Sequence, residues 1–463
     1  MNRICQSFVH TGETMNTLDR RHFIKAGAGA VAVNAAGPLV RKALAKKSPN
    51  ERINIAIIGI RGRGRDHIKH YSTIPNVTVS VLCDIDERLF PIVLKEIEEA
   101  GGKAPKTETD IRRLLDDKDI DVISVACPNH WHAPASIWSI QAGKDVYVEK
   151  PVSHNISEGR KIVDAARKYD RIVQTGSQRR SDPLMQEAVN FIQSGQLGKI
   201  YMAKAVVYRP RNSIGRGTIT PVPEGVHYDL FRGPAPWRPF NETRFHYNWH
   251  WFWDTGNGET GNNGPHPADI FRWAMNRYDH PRTIQSLGGF YAYDSEQETP
   301  NTQVSVMEYE DGLIFQLEVR NLFTNNDGDV REGLIFYGSE GWMQFNLGST
   351  WYTYLGRQNE PGPSMTREQA TEKYGVVIEY GKGKEPHFDN FIDCVRSRNR
   401  DELKSEVLEG HLSASICHLC NIAYRVGRTV VFDTETETFI GDEEAQRYVS
   451  REYREPFVVP DRV

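Results

Sequence analysis

The chain has 463 residues, a formal net charge of -4, 39% hydrophobic residues and 10% aromatic residues. A balance this close to neutral gives no electrostatic footprint for nucleic acid or an anionic membrane surface, and after the leader no run approaches the ~20 apolar residues of a bilayer span. The six cysteines include Cys5 near the start and five scattered ones, which excludes a disulfide framework.

The first element, residues 1–50, reads as an address and a linker. "LDRRHFIKAGAGAVAV" sets Arg20 and Arg21 before Phe23, Ile24 and Lys25, then a short apolar stretch from Ala26 to Ala36, with an Ala-x-Ala site at Ala43 and Ala45. The order resembles the twin-arginine signal, which carries folded proteins across the bacterial inner membrane. Asp19 stands where Ser or Thr is usual, and Met15 offers an alternative start. The expectation is a periplasmic or otherwise exported protein.

Residues 51–175 alternate strand and helix patterns, which predicts a Rossmann domain, a doubly wound parallel sheet with ligands beyond the carboxyl ends of its strands. Ile53 to Ile58 form a β-branched run, and the loop that follows carries Gly59, Ile60, Arg61, Gly62 and Gly64. Arg61 occupies the place of the second glycine of a G-x-G-x-x-G pattern, with Gly62 beside it. "VTVSVLCDID" ends a second strand at Asp84, twenty residues past Gly64. A carboxylate there accepts from ribose hydroxyls and repels a 2'-phosphate, so NAD is favoured over NADP. Two further strand ends bear "CPNHWHAP", with Pro128, Asn129 and His132, and "VEKPVSHN", with Glu149 and Lys150.

Residues 176–463 change pattern. "IYMAKAVVY", "QVSVMEYE", "LIFQLEVRN" and "GLIFYGSEGWMQF" alternate in polarity, and runs of such strands with tight turns predict a mainly antiparallel open sheet in an α+β domain with C-terminal helices. Between its first strands lies "FHYNWHWFWDTGNGETGNNGPHPADIFRW". His246, Trp249, Trp251 and Trp253, with Asn248 and Asp254, combine flat apolar faces and hydrogen-bonding groups as carbohydrate sites do. Gln178 and Arg179, with Arg180, are further substrate candidates. Cys417 and Cys420 sit in the apolar helical pattern "HLSASICHLCNIAYRV" and read as a buried helix face; no metal site is expected.

The ordered series formed by the Gly59 to Gly64 loop, Asp84, "PNHWH", "EKP", "GNNGPHPADIFRW", "HFDNFIDCVRSRN" and "REYREPF" resembles the Gfo/Idh/MocA oxidoreductase family from about residue 53 onward. The resemblance implies that Lys150 touches nicotinamide and substrate, that Glu149 contacts the cofactor, and that His266 is catalytic. Asn262 stands where the family often has Asp, so acid-base work falls to Lys150 and His266; Asp269 is placed to orient His266 or bind a sugar hydroxyl. An ammonium desolvated beside a cationic nicotinamide has a lowered pKa and can exchange protons with a hydroxyl. The implied activity is NAD-dependent oxidation of a sugar, glycoside or polyol hydroxyl, with a homo-oligomer formed through the sheet. Two alternatives stay open: an NAD-dependent glycosidase working by transient oxidation and elimination, and a non-catalytic dinucleotide sensor. An exported enzyme of this kind is expected to load NAD before export and to hold it tightly.

Overall fold

The computed structural model describes residues 52–322, 326, 329–380 and 385–463; the proposed twin-arginine segment lies outside them. β1 (Ile53–Ile58), β2 (Val77–Cys83), β3 (Lys106–Glu108), β4 (Val122–Val125), β5 (Asp145–Val148) and β6 (Val173–Thr175) form a six-stranded parallel sheet in the order β3-β2-β1-β4-β5-β6. β4 and β5 are buried along their whole length, as strands covered by helices on both faces must be. The order reverses between β1 and β4, and a ligand crevice opens beyond their carboxyl ends.

The helix Asn129–Gln141 begins earlier than its apolar pattern suggests, and contains Pro134. Proline there removes the N–H that would reach the carbonyl of His130. Arg451, from the C-terminal segment, donates to that carbonyl at 2.6 Å instead. Asn129 stands at the first turn of this helix and lines the crevice, and Arg451, 321 positions from His130, satisfies the carbonyl that Pro134 leaves without its helical donor.

A second sheet has ten strands: β7 (Ile200–Tyr208), β8 (Thr283–Gly289), β9 (Thr302–Glu308), β10 (Ile314–Arg320), β11 (Glu332–Gly338), β12 (Gly341–Asn346), β13 (Thr350–Leu355), β14 (Glu360–Thr366), β15 (Val430–Asp433) and β16 (Thr438–Phe439). Their order is β14-β13-β12-β11-β7-β10-β9-β8-β15-β16. The sheet is mainly antiparallel, as expected, with one parallel seam, where β7 and β10 run side by side from Met202 beside Ile314 to Tyr208 beside Arg320. Hairpin turns impose antiparallel pairing, whereas β7 reaches β10 only after the long aromatic excursion and two other strands. β9 and β10 alternate buried and exposed residues, so one face packs on helices and the other meets solvent. On the packed face Phe271, in the helix Pro265–Ala274, stacks on Phe315 at 4.0 Å.

The 20-residue helix Val407–Val426 joins the two sheets, packing against the helix Ile156–Lys168 on one side and against Pro265–Ala274 and β8 on the other. Cys417 and Cys420 lie buried in it as free thiols, which matches the core reading. Among the described residues no helix is long and apolar enough to cross a membrane.

Candidate functional site

A cleft of about 430 Å³ lies at the switch point, between the carboxyl ends of the first sheet and the segments that precede and follow β7. Its floor is the loop after β1. Gly59 has φ of +82°, and a Cβ there would meet the carbonyl of Ala126 at 2.7 Å, while a Cβ on Gly64 would fall 1.7 Å from the carbonyl of Gly59. Those two glycines let the chain wind tightly between strand and helix. A Cβ on Gly62 would meet nothing within 4 Å, so the open backbone here is a cradle that a dinucleotide's phosphates can approach. Arg61 is exposed at its rim. Ile60 serves through its backbone only: its side chain is core, and its N–H donates to Asp84 Oδ2 at 2.8 Å.

Asp84 also accepts from the Asp86 N–H at 3.0 Å. Burial pushes its carboxyl up to about 6 against those hydrogen bonds. Beside it a small apolar recess between Ile85, Ile111, Cys127 and Leu230 is shaped for a flat ring, and the ribose that joins such a ring to the phosphates would meet Asp84.

Pro128, Asn129 and His132 line the facing wall. His132 bridges the ends of β4 and β5, its ring nitrogens 2.8 Å from the carbonyl of Cys127 and 2.6 Å from that of Pro151. It thereby fixes the strand end that carries Lys150. Glu149 accepts from Arg63 Nε at 2.8 Å and from Gln178 Nε2 at 3.0 Å, and lies 3.0 Å from His67 Nε2. Burial alone would raise this carboxyl, but Arg63 and His67 hold it well below the usual carboxylate range. Arg63 is itself clamped by Glu385 at 2.8 and 2.7 Å.

Lys150 Nζ donates to the carbonyl of Asn262 at 2.5 Å. Burial lowers its pKa, opposed by Glu149. Asn262 closes a short helix, Gly258–Asn262, and His266 opens the next, Pro265–Ala274. Asn263 and Gly264 separate the two helices, yet Asn262 and His266 both line the cleft with Lys150. Burial, then the charges of Lys150 and Arg179, drive the His266 pKa well down, so its imidazole is neutral. Its Nδ1 is buried and has no partner among the described residues. Arg179 lies 4.0 Å from the ring of Tyr380 with Nη1 equally unpartnered.

The aromatic segment divides. Trp249 lines the cleft, stacked on His250 at 3.6 Å, and His246 reaches Asp86 at 3.1 Å. Trp251 is 3% exposed and packs under Arg211, outside the cleft. Trp253 faces a different cavity, below Arg425. Its neighbour Asp254 is paired with Arg232 at 2.6 Å. Asp269 neither orients His266 nor lines the cleft: it is 1% exposed, ion-paired with Arg180 at 2.8 Å and hydrogen-bonded by Ser413 at 3.0 Å. Being three residues past His266 turns it toward the core side of the helix, where it anchors that helix. The Arg63, His67, Glu385 and Tyr380 contributions went unforeseen, because each gains meaning only from a partner distant in the chain.

His280, His411 and Glu437 converge elsewhere, with ligand-type atoms all within 4.8 Å. Both imidazoles and Arg160 already meet Glu437 Oε1, at 2.8, 2.6 and 2.7 Å, so the carboxylate has its countercharge.

Fold and site together define a dinucleotide-binding protein of the Rossmann type joined to an open-sheet domain. Residues 53–177 match the family model of the oxidoreductase family's NAD-binding Rossmann fold, and residues 211–326 and 376–459 match that of the same family's C-terminal α/β domain. The chain belongs to the Gfo/Idh/MocA oxidoreductase family and binds NAD. Among curated proteins it is similar to a glycosyl hydrolase family 109 protein of Shewanella pealeana, 27% identical over 211 residues, covering 41% of this chain and 45% of that protein. An alpha-N-acetylgalactosaminidase of Shewanella oneidensis is 27% identical over 177 residues, 34% of this chain and 39% of that one. The chain thus spans less than half the length of these relatives. Among solved structures, levoglucosan dehydrogenase in complex with NADH has a TM-score of 0.65 at 16% identity, covering 83% of this chain and all of that one. An aldose-aldose oxidoreductase from Caulobacter crescentus, complexed with glycerol, has a TM-score of 0.61 at 16% identity over 82% of this chain and all of that one.

Proposed function

We propose that this protein oxidises a hydroxyl of a sugar, glycoside or polyol, with Lys150 and His266 handling the proton. The observation that carries the reading is that the half-buried ammonium of Lys150 and the imidazole of His266, whose pKa is driven well down, both line the NAD cleft. NAD supplies the hydride acceptor when bound. The neutral imidazole of His266 takes the hydroxyl proton as the C–H bond breaks, and Lys150 stabilises the developing alkoxide. Trp249 offers the sugar a flat apolar face, and Gln178 and Arg179 offer donors. Incubation of the NAD-loaded protein with a panel of sugars and sugar acids, followed at the NADH absorbance, tests this; no reduction of the bound cofactor by any of them would leave the assignment without support.

The names of the curated relatives favour a second reading, transient oxidation followed by elimination of an aglycone. It predicts sugar release from a glycoside with no net NADH, whereas the dehydrogenase accumulates NADH or passes it to a second carbonyl compound. We also read the protein as exported in folded form with NAD already aboard. Mass analysis of protein denatured from the exported fraction would find one NAD or NADH per chain. The solvent face of the second sheet carries exposed Leu287, Val304 and Val306, an apolar surface suited to pairing with another copy; sedimentation at micromolar concentration would reveal the oligomer.

A further inference from the structure

A second cavity, of about 410 Å³, lies behind the catalytic segment and shares no lining residue with the NAD cleft. It falls in the roughly 300 to 1,000 Å³ range of small-molecule sites. Five stretches of chain build it: the residues just before the helix Ile156–Lys168, the loop at Pro236 and Arg238, the end of the aromatic segment, the helix Val407–Val426, and the C-terminal segment around Tyr448.

Buried polar atoms without partners are rare and call for a reason. Here Asn155 Nδ2, Asp254 Oδ1, His418 Nε2, Asn421 Oδ1 and Arg451 Nη1 all lack one among the described residues, and all belong to side chains lining this cavity. Asn155, His418 and Asn421 are each at least 95% buried. Several are fixed by their other end. Asn155 Oδ1 accepts from the Glu158 N–H at 2.9 Å, and Asn421 Nδ2 donates to the carbonyl of Asn257 at 2.9 Å. Asp254 Oδ2 is held by Arg232 at 2.6 Å, and Arg451 by Glu158 and the carbonyl of His130. Each side chain is therefore oriented, with one hydrogen-bonding atom left over.

The charge at the mouth is positive. Arg425 is wedged between Tyr448 at 3.9 Å and Trp253 at 4.9 Å. Neither Arg425 nor Arg447 has a carboxylate partner among the described residues, whereas Arg238 is neutralised by Asp254 and Glu298, and Arg451 by Glu158. Two carboxylates line the cavity: Asp254, paired with Arg232 and Arg238, and the exposed Glu452.

We propose that this cavity is a second ligand site, distinct from the NAD cleft, for a small hydroxylated organic anion, either a sugar acid or a sugar phosphate. The anionic group meets Arg425 and Arg447 at the mouth, and the hydroxyls meet the oriented atoms of Asn155, Asp254 and Asn421, with the buried Nε2 of His418, below. Asn257 forms the partition. It donates to the carbonyl of His154 at 3.0 Å on the cavity side and accepts from Asn129 at 3.2 Å on the cleft side.

The test is calorimetric titration of the NAD-loaded full chain at low ionic strength with D-galacturonate, D-glucose 6-phosphate, inorganic phosphate and D-galactose, repeated on Arg425→Ala/Arg447→Ala. Both arginines are exposed, so the variant keeps its core, and an unchanged thermal midpoint and NAD content would confirm that. The expected result is one equivalent of galacturonate or glucose 6-phosphate bound, with affinity falling about tenfold or more in the double variant; which of the two binds tells carboxylate from phosphate. Equal affinity in the variant, galactose bound as tightly as the anions, or no saturable binding of either sugar anion would overturn the proposal. Inorganic phosphate binding as tightly as either sugar anion would overturn it too, since the oriented hydroxyl partners would then contribute nothing.

Discussion

At the phosphate and ribose end of the cleft the polar groups hold one another: Asp84 takes two backbone N–H groups, and Glu149 takes Arg63, Gln178 and the His67 ring. At the other end, among the described residues, His266 Nδ1 and Arg179 Nη1 have no partner, and Lys150 has only a backbone carbonyl. The first arrangement suits binding, because groups already oriented lose little freedom when a cofactor arrives. The second suits chemistry, because proton exchange needs hydrogen-bonding capacity that the folded chain has not used.

The largest effect should come from the reactive end. Lys150→Ala or His266→Ala is expected to lower kcat about 100- to 10,000-fold while bound NAD, measured after denaturation, stays stoichiometric. Loss of NAD in either variant would erase the division between the two ends. Glu149→Ala acts on the binding end. It strips a partner from half-buried Arg63 and buried His67, and is expected to cost about 3 kcal/mol in urea unfolding, the Glu385 clamp on Arg63 keeping the loss at the low end of that class.

Asp84 sharpens the comparison through pH. Its carboxyl titrates at about 6 in the folded protein, above its ordinary value. Its contribution to the stability of the NAD-free fold is therefore present at low pH and lost as pH rises through about 6. Ribose hydroxyls need the ionised form as acceptor, so NAD affinity should climb between pH 5 and 7 by about tenfold, and Asp84→Asn should flatten that climb. Fluorescence titration of NAD at several pH values measures both. The smallest contrast lies within the aromatic segment. Trp249→Ala is expected to raise KM for the sugar about tenfold, and Trp253→Ala to change it less than about twofold.

Motifs that act through backbone shape were readable in advance. Gly59 and Gly64 stand where any Cβ would collide with nearby carbonyls, and Asp84 follows a buried strand, so local spacing sufficed. The aromatic segment was not readable to the same depth. Trp249, Trp251 and Trp253 differ by two positions each, yet a tight helical turn at His246–Trp251, the extended Phe252 and the turn after it point them into the cleft, the core and a second cavity. Asp269 misled for the same reason: its spacing from His266 is helical, but its partners Arg180 and Ser413 lie 89 and 144 residues away.

By itself the sequence determined the alternation that builds a doubly wound sheet and the loop and carboxylate that choose NAD, because these rest on periodicity, on glycine's missing Cβ and on residue chemistry; the pairing of Lys150 with His266 was implied only by the resemblance to the family. Only the tertiary structure decided which tryptophan faces the cleft, which carboxylates are locked in ion pairs, that β7 runs parallel to β10, and that a second cavity lined by oriented polar atoms exists. Those outcomes depend on contacts between residues up to 322 positions apart, and neither residue of such a pair carries a local mark of its partner.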